Sequence, residues 1–85
     1  MEVYLVGHNG PEHNEVMHVC LTYEIALNKF HEVRKRLIAD VENLYDGIDS
    51  VKAKRMIANL TEEDPGKIDN YPYETPYIEV RVVIE

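Results

Sequence analysis

Four histidines and one cysteine hold most of the reactive chemistry available to this 85-residue chain. His8, His13 and His18 recur at intervals of five, with Glu12 and Glu15 between them. A metal site needs three or four ligands converging at about 2.0–2.2 Å on one ion. A spacing of five on a loop and a strand does not encode that convergence, and there is no His-Glu-x-x-His helix. The expectation is solvated loop histidines or histidines in a partner contact, no metal and no cofactor. His18 and Cys20 lie two apart on a strand-like run and point to one face. A cationic imidazole beside a sulfur favours the thiolate, the nucleophilic form. A lone strand cysteine, however, commonly serves as a small buried hydrophobe. No glycine-rich elbow accompanies the pair, so no catalytic residue is expected. Gly7-His-Asn-Gly10 follows one strand and leads into another, so no helix N-terminus receives an anion. Its residues His8 and Asn9, with His13, are the contacts expected if the chain sequesters a small ligand or nucleotide.

Charge narrows the partners. Sixteen acidic residues against nine Lys and Arg give a net charge of −7. Such a surface repels phosphate backbones and anionic membranes and attracts basic protein surfaces. His31, Arg34, Lys35 and Arg36 form one basic cluster and Lys52, Lys54 and Arg55 another. Glu32 precedes Arg36 by four and Arg36 precedes Asp40 by four, which reads as ion pairs on a helix surface. No nucleic-acid contact is expected. One cysteine excludes an intrachain disulfide and fits a reducing compartment. The apolar runs fall far short of the roughly 20 residues that span a bilayer. Nor does the N-terminus read as a signal peptide. A cytoplasmic protein is expected.

Tyr71-Pro-Tyr-Glu-Thr-Pro-Tyr77 joins tyrosines to two prolines, flanked by Asp69 and Glu79. Tyrosine offers large contact area at low rotamer entropy, and proline lowers the cost of ordering. The segment suits docking into a basic groove. It also suits a linker whose tyrosines pack over helix ends.

These residues sit on five elements. Val3 to Gly7 and Val16 to Leu21 read as strands around a breaker-rich loop, hence an antiparallel hairpin. Thr22 stands at a helix N-cap, with Glu24 in the first turn. Ala26, Phe30, Val33, Leu37, Val41 and Leu44 then form a helical stripe, and Gly47 ends it. Ser50 can cap a second helix with Val51, Met56, Ile57 and Leu60 facing inward. Tyr77 to Glu85 alternates as a final strand, so the domain is expected to be complete at Glu85. The fold class is α+β, a single domain over 1–85. Its three-stranded, mainly antiparallel sheet is covered on one face by a long helix and a short second one, in the order β-β-α-α-β. Val3, Leu5, Met17, Val19, Leu21, Ile78, Val80, Val82 and Ile84 are assigned to the helix-covered face, with Tyr4 and Val6 competing for it on the first strand. Tyr4, Val6, Val16, His18, Cys20, Tyr77, Arg81 and Val83 are assigned to the other. That second face mixes tyrosine, small apolar residues and arginine, a composition that interfaces favour.

Val-Tyr-Leu-Val, a polar loop, a second strand, Thr-Tyr-Glu-Ile-Ala opening a helix, and Tyr-Ile-Glu-Val near the end resemble a loose group of small phage and bacterial proteins of β-β-α-β type. The resemblance covers about half the chain. It implies a compact sheet with one helix and a phage setting, and it transfers no functional residue. The function expected is a non-enzymatic protein-binding module. In that setting it would be an accessory protein that binds and inhibits a host or defence protein in the host cytoplasm, as anti-CRISPR proteins do. Tyr4, Val16, His18, Tyr71, Tyr73, Glu74, Tyr77 and Arg81 are the expected contacts, and a homodimer is a further expectation. The alternatives are a small-ligand or nucleotide-sequestering protein, and a minor enzyme centred on Cys20 and His18.

Overall fold

A computed structural model describes residues 1–45, 51–70 and 73–84, with Leu44 and Tyr45 described by backbone only. Gly47, Ser50, Tyr71 and the side chain of Leu44 lie outside the described residues. The elements run β1 (Glu2–Asn9), β2 (Asn14–Cys20), α1 (Tyr23–Tyr45), α2 (Val51–Leu60), a 3-10 turn (Pro65–Lys67) and β3 (Thr75–Val82). The fold is α+β, as the sequence pattern predicts. One three-stranded sheet has the order β2-β1-β3, with both pairings antiparallel.

The long helix forms for the reasons its sequence suggests. The Thr22 hydroxyl accepts the Ile25 N–H at 3.2 Å, which satisfies one of the donors a helix start leaves free. Ala26, Phe30, Val33, Leu37 and Val41 are all buried on one stripe. Ala53, Met56 and Leu60 of α2 and Ile68 beyond it complete the same cluster. Full burial of a side chain such as Phe30 or Leu60 stabilises the fold by about 1.5–3 kcal/mol. Val51 departs from its expected inward position. It is exposed, and Ala53 takes the buried place one helical turn before Met56.

The sheet departs from the expected faces. Partners across an antiparallel pair share a face, so the register assigns the side chains. Tyr4 pairs with Cys20 and Val80, and Val6 pairs with His18 and Ile78. Val6 is 0% exposed and Cys20 5%, both inside the helix-side cluster, with Tyr4 and Ile78 packed against it. Tyr4, Val6, His18 and Cys20 therefore lie on the helix-covered face, opposite to their assignment. Val3, Leu5 and Val19 take the other face, with Val16, Tyr77, Glu79 and Arg81, although Val3 is buried there as expected. On β1 alternation is unbroken and the opposite set of residues packs on the core; on β2 the alternation itself breaks. Between Val6 and Gly7 the register shifts, so that one step on β1 faces two on β2, from His18 to Val16. This bulge at Met17 reverses the alternation. Val16 and Val19 share a face although three apart, and Met17 still packs on the core. On β3 the expected face is right, but of the four residues assigned to it only Ile78 packs on the core, beside the buried Pro76; Val80, Val82 and, past the strand, Ile84 are exposed.

Candidate functional site

Gly7 is where the site begins. A Cβ there would stand 2.1 Å from the Glu15 carbonyl oxygen and 2.8 Å from the Tyr77 hydroxyl. Only glycine lets β2 approach so closely at the bulge. Tyr77 in turn donates to Asn14 Oδ1 at 2.6 Å, tying β3 across the sheet to the start of β2. The bulge also sets Glu15 opposite His8 on the helix side.

His8 lies in β1 and its side chain is mostly buried, not the solvated loop residue expected. Its Nδ1 stands 3.1 Å from Glu74 Oε2, and its Nε2 stands 3.5 Å from Glu15 Oε2. His13, on the exposed turn, places Nε2 against the other oxygen of Glu74. The two rings meet edge to face with centroids 6.2 Å apart. The turn is closed by the Gly10 N–H bonding the His13 carbonyl at 2.9 Å. A Cβ at Gly10 would lie 3.2 Å from His13 Cε1 and 3.6 Å from both Glu74 oxygens, so glycine leaves room for the imidazole. One ligand atom each from His8, His13 and Glu74 lies within 4.8 Å of the other two.

Glu74 is held by Asn70. That side chain is buried, and its amide donates to the Glu74 carbonyl at 3.0 Å. Its oxygen accepts from Asn59 at 3.3 Å, its N–H donates to Thr75 Oγ1 at 3.1 Å, and its carbonyl accepts from Tyr73 N at 2.7 Å. Every buried polar side-chain atom among the described residues has a partner, as buried polar groups require. The hub brings α2, the segment before β3 and the histidine pair into one place. The sequence marks it only as an asparagine before a proline-rich stretch.

Two cavities flank Glu74. One of about 450 Å³ lies between strands and α1, lined by His8, Glu15, His18, Glu32 and Arg36 among others. The second, of about 380 Å³, is mainly apolar and lined by His13, Met56, Leu60, Asn70 and Tyr73 among others. Leu37, Asp40 and Glu74 border both.

The other expected contacts scatter. Val16, Tyr77 and Arg81 share the open face. Tyr4 packs edge to face on Tyr23, with ring centroids 5.9 Å apart, and His18 lines the first cavity. Tyr73 packs on the core with the Lys52 ammonium 4.8 Å from its ring centroid. Glu74 belongs to the histidine cluster. Asn9 is exposed, pairs with Asn14 and Thr75, and is outside that cluster. Cys20 shares the helix side with His18 but is enclosed in the core. In the basic cluster, Arg34 donates to the Glu62 carbonyl at 2.5 Å, contacts His31 Nδ1 at 2.6 Å and lies 5.1 Å over the Phe30 ring. Glu32, Arg36 and Asp40 line the first cavity together.

Among the described residues no helix is long and apolar enough to cross a membrane. Comparison of the chain with protein-family models, with curated proteins and with solved structures finds no match.

Proposed function

We propose that the chain is a non-enzymatic protein-binding module that docks a partner on the open face of its sheet. One observation carries this reading. Val16 and Val19 share that face and Leu21 follows directly, at 47%, 64% and 64% exposed, while the buried cluster belongs to the opposite face. Contiguous exposed apolar residues rimmed by polar ones are typical of interaction sites. The rim is present in Tyr77, Glu79 and Arg81 on β3, with Arg81 and Glu79 paired at 3.0 Å.

A partner with a basic surface suits this face better than a second copy. Each copy carries −7, and like charge opposes self-association while it speeds encounter with a basic protein. The more specific role, inhibition of a host or defence protein, rests on the resemblance of the strand and helix-entry segments to small phage proteins.

Affinity capture with wild-type and Val19→Asp protein tests the proposal, alongside light scattering. Burying an unpaired carboxylate in an interface costs about 3 kcal/mol or more, over 100-fold in Kd. Stoichiometric capture of one basic protein by wild type, lost in Val19→Asp with the fold intact, supports the proposal. Capture that survives both Val19→Asp and Val16→Glu refutes it. A dimer that Val19→Asp splits would give the face to a second copy.

A further inference from the structure

We propose that His8 Nδ1, His13 Nε2 and the Glu74 carboxylate form a binding site for Zn²⁺, independent of the open sheet face. The first observation is convergence. The three ligand atoms lie within 4.8 Å of one another, against about 3.3 Å between ligands in a tetrahedral shell at zinc bond lengths. Closing that difference takes a small movement of His13, which sits exposed on its turn.

The second observation concerns the two faces of one ring. Both nitrogens of His8 face carboxylates, Glu74 at 3.1 Å and Glu15 at 3.5 Å. With an ion between Nδ1 and Glu74, Nδ1 would ligate and Nε2–H would donate to Glu15. This is the usual outer arrangement of a zinc histidine, in which a carboxylate fixes the tautomer and ring orientation.

The third observation is that the frame is built. Gly10 clears the space that His13 occupies beside Glu74, and buried Asn70 anchors the Glu74 backbone. Two imidazoles and one carboxylate select a first-row transition ion over Mg²⁺ or Ca²⁺, which prefer all-oxygen shells. Charge also balances, since Zn²⁺ offsets Glu74 and Glu15. Three protein ligands are the set found in zinc sites that keep a position open, and the cavity lined by His8, Glu15 and Glu74 adjoins it.

Titration of the full chain with Zn²⁺ alone, followed by calorimetry and thermal unfolding, tests the site. The expected result is uptake of one ion per chain and a raised Tm, reversed by a chelator. His13→Ala, at an exposed position, and Glu74→Gln should each weaken uptake at least 10-fold. Glu15→Gln should weaken it about 10–100-fold, the effect typical of an outer partner. His31→Ala, remote from the cluster, should leave it unchanged, and Mg²⁺ should not compete. Co²⁺ in place of Zn²⁺ should give the visible absorption of a low-coordinate ion, lost in His13→Ala. If Zn²⁺ uptake is absent, or equal in wild type and His13→Ala, the cluster is an ion-pair knot and the proposal falls.

Discussion

At the scale of single residues, Tyr77 couples the stability of the fold to pH. Its hydroxyl is held above the ordinary value of 10.0, first by burial and then by the charge of Glu79; Asn14 and Arg81 act in the opposite direction. The folded state therefore keeps this proton more tightly than the unfolded chain. Its stabilising contribution is complete below pH 10 and is lost as pH rises through the folded value. Comparison of Tyr77→Phe with wild type isolates this. The variant should be less stable at neutral pH, by about 0.5–1.5 kcal/mol for the hydrogen bond to Asn14. Above pH 10 its Tm should fall less steeply than that of wild type. Parallel Tm curves through that range would show that the hydroxyl does not report on folding. Some single-residue roles were legible. Thr22 was recognisable as a cap because its partner lies three residues away. His8 and Glu74 were not recognisable as partners because 66 residues separate them. Spacing speaks only for neighbours in the chain.

At the scale of elements, helices were easier to read than strands. Ala26 through Val41 repeat with the helical period, and the stripe is buried as that period requires. The face of β2 was misread because strict alternation was extended through Met17. A bulge inserts one residue and reverses every side chain beyond it. The one local sign of it is on the partner strand, where Gly7 meets the Glu15 carbonyl. Gly7→Ala tests this account. The added methyl meets backbone on one side and the Tyr77 hydroxyl on the other, so relief requires the strands to part. The expected loss is about 1–3 kcal/mol of stability, with displacement of His8 and Glu15. Denaturant unfolding and the histidine NMR signals would measure both. A variant as stable as wild type would mean that the bulge tolerates a side chain.

At the scale of the whole molecule, β1 is central, and its neighbours come from opposite ends of the described chain. This geometry has consequences in time. The β1–β2 hairpin closes across a short turn, whereas β3 must return across everything between Asn9 and Thr75. Loop-closure entropy makes that return more costly by up to about 2.5 kcal/mol in a flexible-chain estimate. Hairpin and α1 are contiguous and already share the Val6, Cys20 and Phe30 contacts. They can condense first, and β3 then docks as a late strand. Ile78→Val probes the order, since it trims a β3 residue packed on the core, at a cost of about 0.5–1.5 kcal/mol. If β3 docks late, nearly all of that loss appears as faster unfolding and the folding rate stays unchanged. Folding that slows in proportion to the stability lost would place β3 in the nucleus. Late docking also sets when the cluster forms. Glu74 reaches His8 only as β3 arrives, so the contact acts as a latch on the finished fold and lengthens its lifetime without hastening its assembly.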